Sequence, residues 1–215
     1  VLDMLPMAYF VNGDNGQKKT TKMSWDKKYI TAEEIAVIVP IPEAVLEDAD
    51  YDIWGEVRPR VQEAFGKVID GAVLFGVEKP ASWRDDLVAT ATKAGSVVKT
   101  TADLYADMQS GTNYTLDGSG MYFPNNGTFD KTKAQIITGD FSQLVYAMRQ
   151  DITFKLFTEG VVQNTDGTIA YNLMQNDMVA LRAVMRLGWE IPNPVNSQQK
   201  DKAKRCPFAV LAPAE

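Results

Sequence analysis

The chain has 215 residues, 45% hydrophobic and 23% charged, with a formal net charge of −6. That length supports one real core with a satellite lobe, and the apolar content is too high for a disordered chain. An acidic balance argues against a dedicated nucleic-acid grip, which works by neutralising phosphates, but leaves room for a protein that surrounds nucleic acid. There is no histidine and only one cysteine, Cys206. The commonest general base and zinc ligand is therefore missing, and no internal disulfide or cysteine-cluster metal site can form. No apolar stretch nears the ~20 residues that span a bilayer. The start, Val1-Leu2-Asp3-Met4, has no initiator Met and no signal-peptide layout; it is expected to lie inside a longer gene product.

Residues 7–11 predict a strand, followed by the turn dipeptides Asn12-Gly13 and Asn15-Gly16. From Lys18 to Tyr29 the chain is polar and β-permissive, which predicts a long, exposed two-stranded hairpin. Its lysines read either as guards of a solvated edge or as contacts of an arm laid across a neighbouring subunit. The candidate contact residues are Asn15, Gly16, Lys18, Lys19, Lys22, Trp25, Lys27 and Lys28. Residues 34–41 predict a buried strand broken by Pro40 and Pro42. A long helix follows, with Glu43, Glu47, Asp48, Asp50 and Asp52 crowding its start, where the dipole favours anions. Its core stripe is Ile53, Val57, Val61, Phe65 and Val68, continued by Ala72 and Phe75. Pro59 is expected to remove one backbone hydrogen bond and kink it, and Gly76 is the expected C-cap.

Between Glu78 and Lys133 the pattern weakens; 102–108 predicts a short helix, and Asp117-Gly118, Pro124 and Asn126-Gly127 mark turns. Later come Ile136-Ile137, two strands over 144–148 and 152–157, a hairpin turn at Asp166-Gly167, and a last strand over 208–211; Met178 to Leu187 reads as helix or long strand, with strand favoured because Trp189, Ile191 and the prolines at 192 and 194 continue it as extended chain.

The order of hairpin arm, acid-capped long helix ending in glycine, middle lobe and returning strands resembles the major capsid proteins of tailed phages with the Hong Kong 97-type fold. The resemblance runs over nearly the whole chain. It is carried by the segments 48–54, 70–76, 137–142 (Ile137-Thr138-Gly139-Asp140-Phe141-Ser142) and 177–186. It implies an α+β architecture in which 12–28 is the extended loop and the long helix is the spine. The domain bounds it implies are 1–87 for extended loop and spine, 88–135 for an axial domain, and 136–215 for strands returning mainly to the peripheral domain. The axial domain is expected to be shortened near Ser110-Gly111-Thr112. The implied function is a shell-building subunit of an icosahedral phage head, not an enzyme, with no cofactor, metal or membrane. Its implied partners are copies of itself in pentamers and hexamers, a scaffolding protein or segment, and packaged double-stranded DNA held without sequence-specific contacts. The implied location is the virion, with assembly in the host cytoplasm. An encapsulin-type nanocompartment shares the fold and stands as the alternative; a polysaccharide-active hydrolase or carbohydrate-binding module is a rival of another class.

Some members of that family weld subunits by a lysine–asparagine isopeptide bond assisted by a buried glutamate. Asn172 and Asn176 occupy the corresponding region, but 171–187 offers only Asp177 as carboxylate. Solvated lysines and turn asparagines are therefore the expected reading. The acid pairs Glu33-Glu34 and Asp85-Asp86 sit on adjacent residues, which point to opposite faces of a strand, and read as surface charge. Ser142 is outside any nucleophile elbow and has no histidine to activate it. Cys206, beside Arg205, reads as structural. Trp25, Trp54, Trp83 and Trp189 read as packing or contact anchors.

Overall fold

The computed structural model describes residues 24–100, 115–116, 119–124, 126–192, 199 and 201–214. The strand expected at 7–11, most of the hairpin at 12–28 with Asn15, Gly16, Lys18, Lys19 and Lys22, the helix expected at 102–108 and the suspected shortening near 110–112 lie outside them. The chain divides into two compact units that interleave in sequence. One holds 31–69 and 147–188; the other holds the described residues of 24–30, 70–146 and 189–214.

The first unit is built on a three-stranded sheet. Strand β1 (Glu33–Pro42) pairs antiparallel with β9 (Met178–Glu190), from Glu33 opposite Leu187 to Pro42 opposite Met178. On the other side of β9 lies β6 (Val145–Phe157). β1 is half-buried at most; it runs through Pro40 instead of breaking there, and ends at Pro42 as expected. An edge strand uses only one of its two hydrogen-bonding sides, so a residue without an N–H can continue it. β6 is likewise one strand of 13 residues where two were expected; the polar Arg149-Gln150-Asp151 in its middle is tolerated because that stretch is largely exposed. β9 carries the unit's core, with Val179, Leu181, Ala183, Met185 and Leu187 all buried. Between β6 and β9, β7 (Val161–Gln163) and β8 (Ile169–Asn172) form a hairpin closed by Asp166-Gly167, with Gly167 at φ 83°.

The acidic stretch after β1 makes two elements where one helix start was expected. α1 (Glu43–Glu47) takes up Glu43 and Glu47 and ends on Asp48; α2 (Ile53–Phe75) begins five residues beyond. Asp48, Asp50 and Asp52 are poor interior helix formers because their short side chains compete for nearby backbone groups. Val61, Phe65, Ala72 and Phe75 are buried, while Ile53 and Val57 are half-buried. Val68 departs from the expected stripe: it is 43% exposed. Helical phase puts it on the face of Val61 and Phe65, but phase alone does not bury a residue, and Val68 stays partly in solvent. Pro59 sits inside α2, which continues past it. The helix ends as predicted at Gly76, φ 67°, whose N–H donates to the Ala72 carbonyl (3.2 Å) while that of Val77 reaches Gly71 (3.0 Å).

The second unit contains a helix that the sequence reading passed over. α3 (Leu87–Ala94) starts at Asp86, whose Oδ1 accepts the Ala89 N–H at 2.8 Å, and stops at Gly95, φ 74°. It is followed by β2 (Val97–Thr100). The short strands β3 (Thr115–Leu116) and β4 (Ser119–Gly120) pair with each other, and β5 (Ile136–Gly139) follows. The last strand, β10 (Phe208–Pro213), lies between β2 and β5, parallel to the first and antiparallel to the second. Phe75, Ala91, Ala134 and Val210 form the buried centre, and Phe129 meets Phe75 edge-on at 5.5 Å. Arg84 donates to Glu190 Oε1 (2.6 Å) and to the Ile191 carbonyl (2.9 Å), fixing the end of β9 in this unit.

Candidate assembly surfaces

Two contacts define the faces of the three-stranded sheet. The Arg58 guanidinium of α2 lies 5.8 Å from the Phe154 ring centre, so the even-numbered residues of β6 face the helix; Gln150, Ile152 and Phe154 are its half-buried positions. Arg182 of β9 lies over the Phe157 ring at 5.0 Å, which puts odd-numbered β6 residues and even-numbered β9 residues on the opposite, open face. In the β1–β9 register Ile38 stands opposite Arg182 and Glu34 opposite Arg186, so Ile38 and Glu34 share that open face. Ile38 is 47% and Phe157 37% exposed. Large apolar side chains thus stand uncovered on one face, while the other is covered only around Gln150, Ile152 and Phe154 of β6 and the buried odd-numbered residues of β9.

Exposed apolar groups recur elsewhere. Val145, Tyr146, Met148 and Leu156 on β6 are exposed, as are Ile169 and Met174 around the β7–β8 hairpin and Val45 and Tyr51 in the acidic stretch. Of the extended-loop candidates, Trp25, Lys27 and Lys28 are described, and all are exposed; Trp25 stands 73% in solvent. Between them Asp26 accepts from Lys202 Nζ at 2.5 Å, and this ammonium holds the Asp26 carboxyl below its ordinary range. Asp26 is thus tied to Lys202 within one unit, while its neighbours Trp25 and Tyr29 stay exposed.

The residues singled out for chemistry take structural positions. Asn172 donates from Nδ2 to Gln175 Oε1 (2.9 Å) and its N–H reaches Asn176 Oδ1 (3.0 Å), so both asparagines close the turn between β8 and β9. A cleft of about 250 Å³ beside them is lined by Glu43, Thr158, Glu159, Leu173, Met174, Asp177 and Met178. The glutamates absent from 171–187 thus arrive from distant sequence, which local reading had no means to find. All three carboxylates there are solvent-exposed, unlike the desolvated base an isopeptide weld requires. Ser142 donates to Asp140 Oδ1 (2.6 Å) in a capped turn, and that bond lowers the Asp140 carboxyl. Asp85 is held low by Lys93, while Asp86 caps α3. In β1, Glu33 is half-buried and Glu34 exposed, on opposite faces. Cys206 packs against the Phe75 core, Trp83 and Trp189 are buried, and Trp54 is half-buried. Among the described residues no group of acidic or cysteine side chains could hold a metal, and no helix is long and apolar enough to cross a membrane.

Comparison with known proteins decides what these open surfaces belong to. The model of the phage capsid family matches residues 5–110 and 102–195. This chain belongs to the phage capsid family. The capsid chain is 27% identical to the major capsid protein of Staphylococcus phage 80alpha, over 98% of this chain and 72% of that protein. Among solved structures it resembles those of Microbacterium phage Oxtober96 (31% identity, TM-score 0.80) and Mycobacterium phage Adephagia (28%, 0.83), covering all of this chain and 84% of each of those. The capsid of a native GTA particle, at 16% identity and TM-score 0.61, shares the fold. The architecture is therefore the α+β, Hong Kong 97-like capsid fold, and the protein is a structural subunit of a phage head, located in the virion. The nanocompartment and carbohydrate alternatives gain no support from these matches.

Proposed function

We propose that this capsid subunit closes a shell through repeated contacts with its own copies, grouped as pentamers and hexamers, around double-stranded DNA that it contacts without reading sequence. The observation that carries the reading is the open sheet face, where Ile38 stands opposite Arg182, Arg182 lies over Phe157, and Ile38 and Phe157 are left exposed among the described residues. A soluble monomer has little reason to leave such a row uncovered, whereas a subunit completed by neighbours has every reason. In this reading 12–28 is the extended loop laid over an adjacent subunit, with Trp25, Lys27 and Lys28 at its foot. The unit of 31–69 and 147–188 is the peripheral domain, and that of 70–146 and 189–214, with which 24–30 also clusters, the axial domain. This assignment differs from the bounds of 88–135 and 136–215 expected from the resemblance, in that 136–146 and 189–214 go with the middle of the chain, with which they cluster. A shortened axial domain is supported by the family match, which falls into two stretches meeting at 102–110. A scaffolding protein or segment guides assembly in the host cytoplasm. The net charge of −6 favours loose enclosure of DNA over tight binding.

Hydrogen exchange compared between assembled particles and unassembled subunits tests this reading. Peptides covering 12–28 and 145–157 gain protection on assembly, while those of the buried β9 stay protected in both. Equal exchange of 12–28 in the two states contradicts the overlapping loop.

A further inference from the structure

The open sheet face carries an uneven charge. Arg149, Lys155 and Arg182 are exposed on it and Arg186 is half-buried with its Nε enclosed, against the carboxylates of Asp151 and Glu34, in a chain whose overall balance is acidic. Among the described residues, none of the four cations takes part in an ion pair. Beneath Arg182 lies Phe157, and beside it Ile38, so the patch is apolar at its middle and cationic around it.

The opposite pattern occurs once in the same unit. Residues 43–52 carry Glu43, Glu47, Asp48, Asp50 and Asp52 with no lysine or arginine among them. All five acids are exposed, and none is in an ion pair among the described residues. Between them Val45 and Tyr51 stand 50% and 64% in solvent. One surface is apolar with cations around it, and the other apolar with carboxylates. Among the described residues neither the four cations nor the five acids form an ion pair in their own copy, and each surface offers the other's counter-charge.

We propose that the open face of the β1–β9–β6 sheet receives the acidic 43–52 segment of a second copy, Tyr51 and Val45 seating on Ile38 and Phe157 while the carboxylates meet Arg182, Arg186 and Lys155. Two different patches of one chain are used, so the contact is heterologous and propagates from copy to copy until a ring closes. Opposed charges in register also reject wrong alignments, since like-charge juxtaposition is costly. The proposal rests on the shell-forming reading and adds to it one contact with named sides.

Charge reversal on the full chain tests it. Arg182→Glu with Arg186→Glu reverses the sheet side; Asp48→Lys with Asp50→Lys reverses the acidic side; a third variant carries all four changes. The fraction in particles, measured by sedimentation velocity and electron microscopy, falls at least tenfold in each two-site variant and recovers to within threefold of wild type in the four-site variant. Melting curves of the unassembled chains verify that each variant folds. Undiminished assembly in either two-site variant, or no recovery in the four-site variant although it folds, overturns the contact alone. Particles that form normally but lose their DNA in the sheet-side variant assign the face to nucleic acid and also overturn it. A wild-type chain that stays monomeric at every concentration overturns the shell-forming reading and the contact with it.

Discussion

Gly139 is where a single methyl group should do most damage. It ends β5 opposite Phe208 of β10, and a Cβ placed on it would lie 2.4 Å from the Pro207 carbonyl oxygen, 2.7 Å from Phe208 Cδ1 and 2.8 Å from Phe208 Cα. Two of those three atoms are backbone, so no change of rotamer relieves the overlap. The strands must part, and with them the Asp140 N–H to Pro207 carbonyl bond of 3.1 Å and the edge-on stack of Phe141 on Phe208 at 5.1 Å. Overpacking alone costs about 1–3 kcal/mol. The lost hydrogen bond adds about 1 kcal/mol, giving about 3 kcal/mol for Gly139→Ala. At about 2–4 °C per kcal/mol for a chain of this size, the unassembled subunit should melt roughly 6–12 °C lower. Gly66→Ala is the matched control: nothing lies within 4 Å of its added Cβ, and it sits inside α2. Alanine there should stabilise by up to about 1 kcal/mol. Calorimetry of the two variants decides the matter. A Gly139→Ala subunit melting within 2 °C of wild type would refute the close strand approach on which the reasoning rests.

Phe65→Ala should cost about 3–5 kcal/mol by emptying a fully packed site, whereas Val68→Ala, already half in solvent, should stay within about 0.5 kcal/mol in the unassembled chain; denaturant titration separates the two. Arg84→Ala leaves Glu190 and the Ile191 carbonyl without their donor in a partly buried setting and should cost about 2–3 kcal/mol, read as a shift of the urea midpoint. The acid side of the stability curve follows from Asp85, held low by Lys93, and Asp130, held low by Thr132. A carboxyl whose folded pKa lies below its unfolded value stabilises at any pH above the ordinary value of 3.8 and loses that contribution as pH falls through the lowered one. Melting temperature should therefore decline on acidification below pH about 4, and less steeply in Lys93→Met. With no histidine in the chain, a melting step near pH 6.5 would count against this account.

What the sequence made legible were features with local causes. Gly76 ends α2 because a left-handed residue there satisfies the last carbonyls, and Asp166-Gly167 closes a hairpin because glycine accepts the turn's positive φ. Met178 to Leu187 alone is open to helix or strand, and the strand reading comes from the extended, proline-bounded chain after it at Trp189, Ile191, Pro192 and Pro194. What stayed hidden depended on partners far away in the chain. Pro40 continues β1 because β1 is an edge, a fact only the sheet order supplies. Val68 has the right helical phase and still stays partly in solvent. The signals for α3 were present, Asp86 before it and Gly95 after it, but its short apolar face is modest and a search for long periodicity overlooks it. The interleaving of the two units could not be read at all, since β10 inserts between β2 and β5 from more than a hundred residues downstream of β2. Among the surface residues, Trp25 was visible as a contact candidate by its exposed lysine-rich setting. The open sheet face was not, because its members come from three strands and assemble only through the register.

The central claim is that this chain is completed by copies of itself. Raising the concentration of the purified full-length chain while following sedimentation velocity, with cryo-electron microscopy of the fast fraction, tests it most directly. The account requires closed particles of uniform size in which residues 24–29 and the open face of the β1–β9–β6 sheet are both covered by neighbouring subunits. Particles whose reconstruction leaves both surfaces bare to solvent would contradict it.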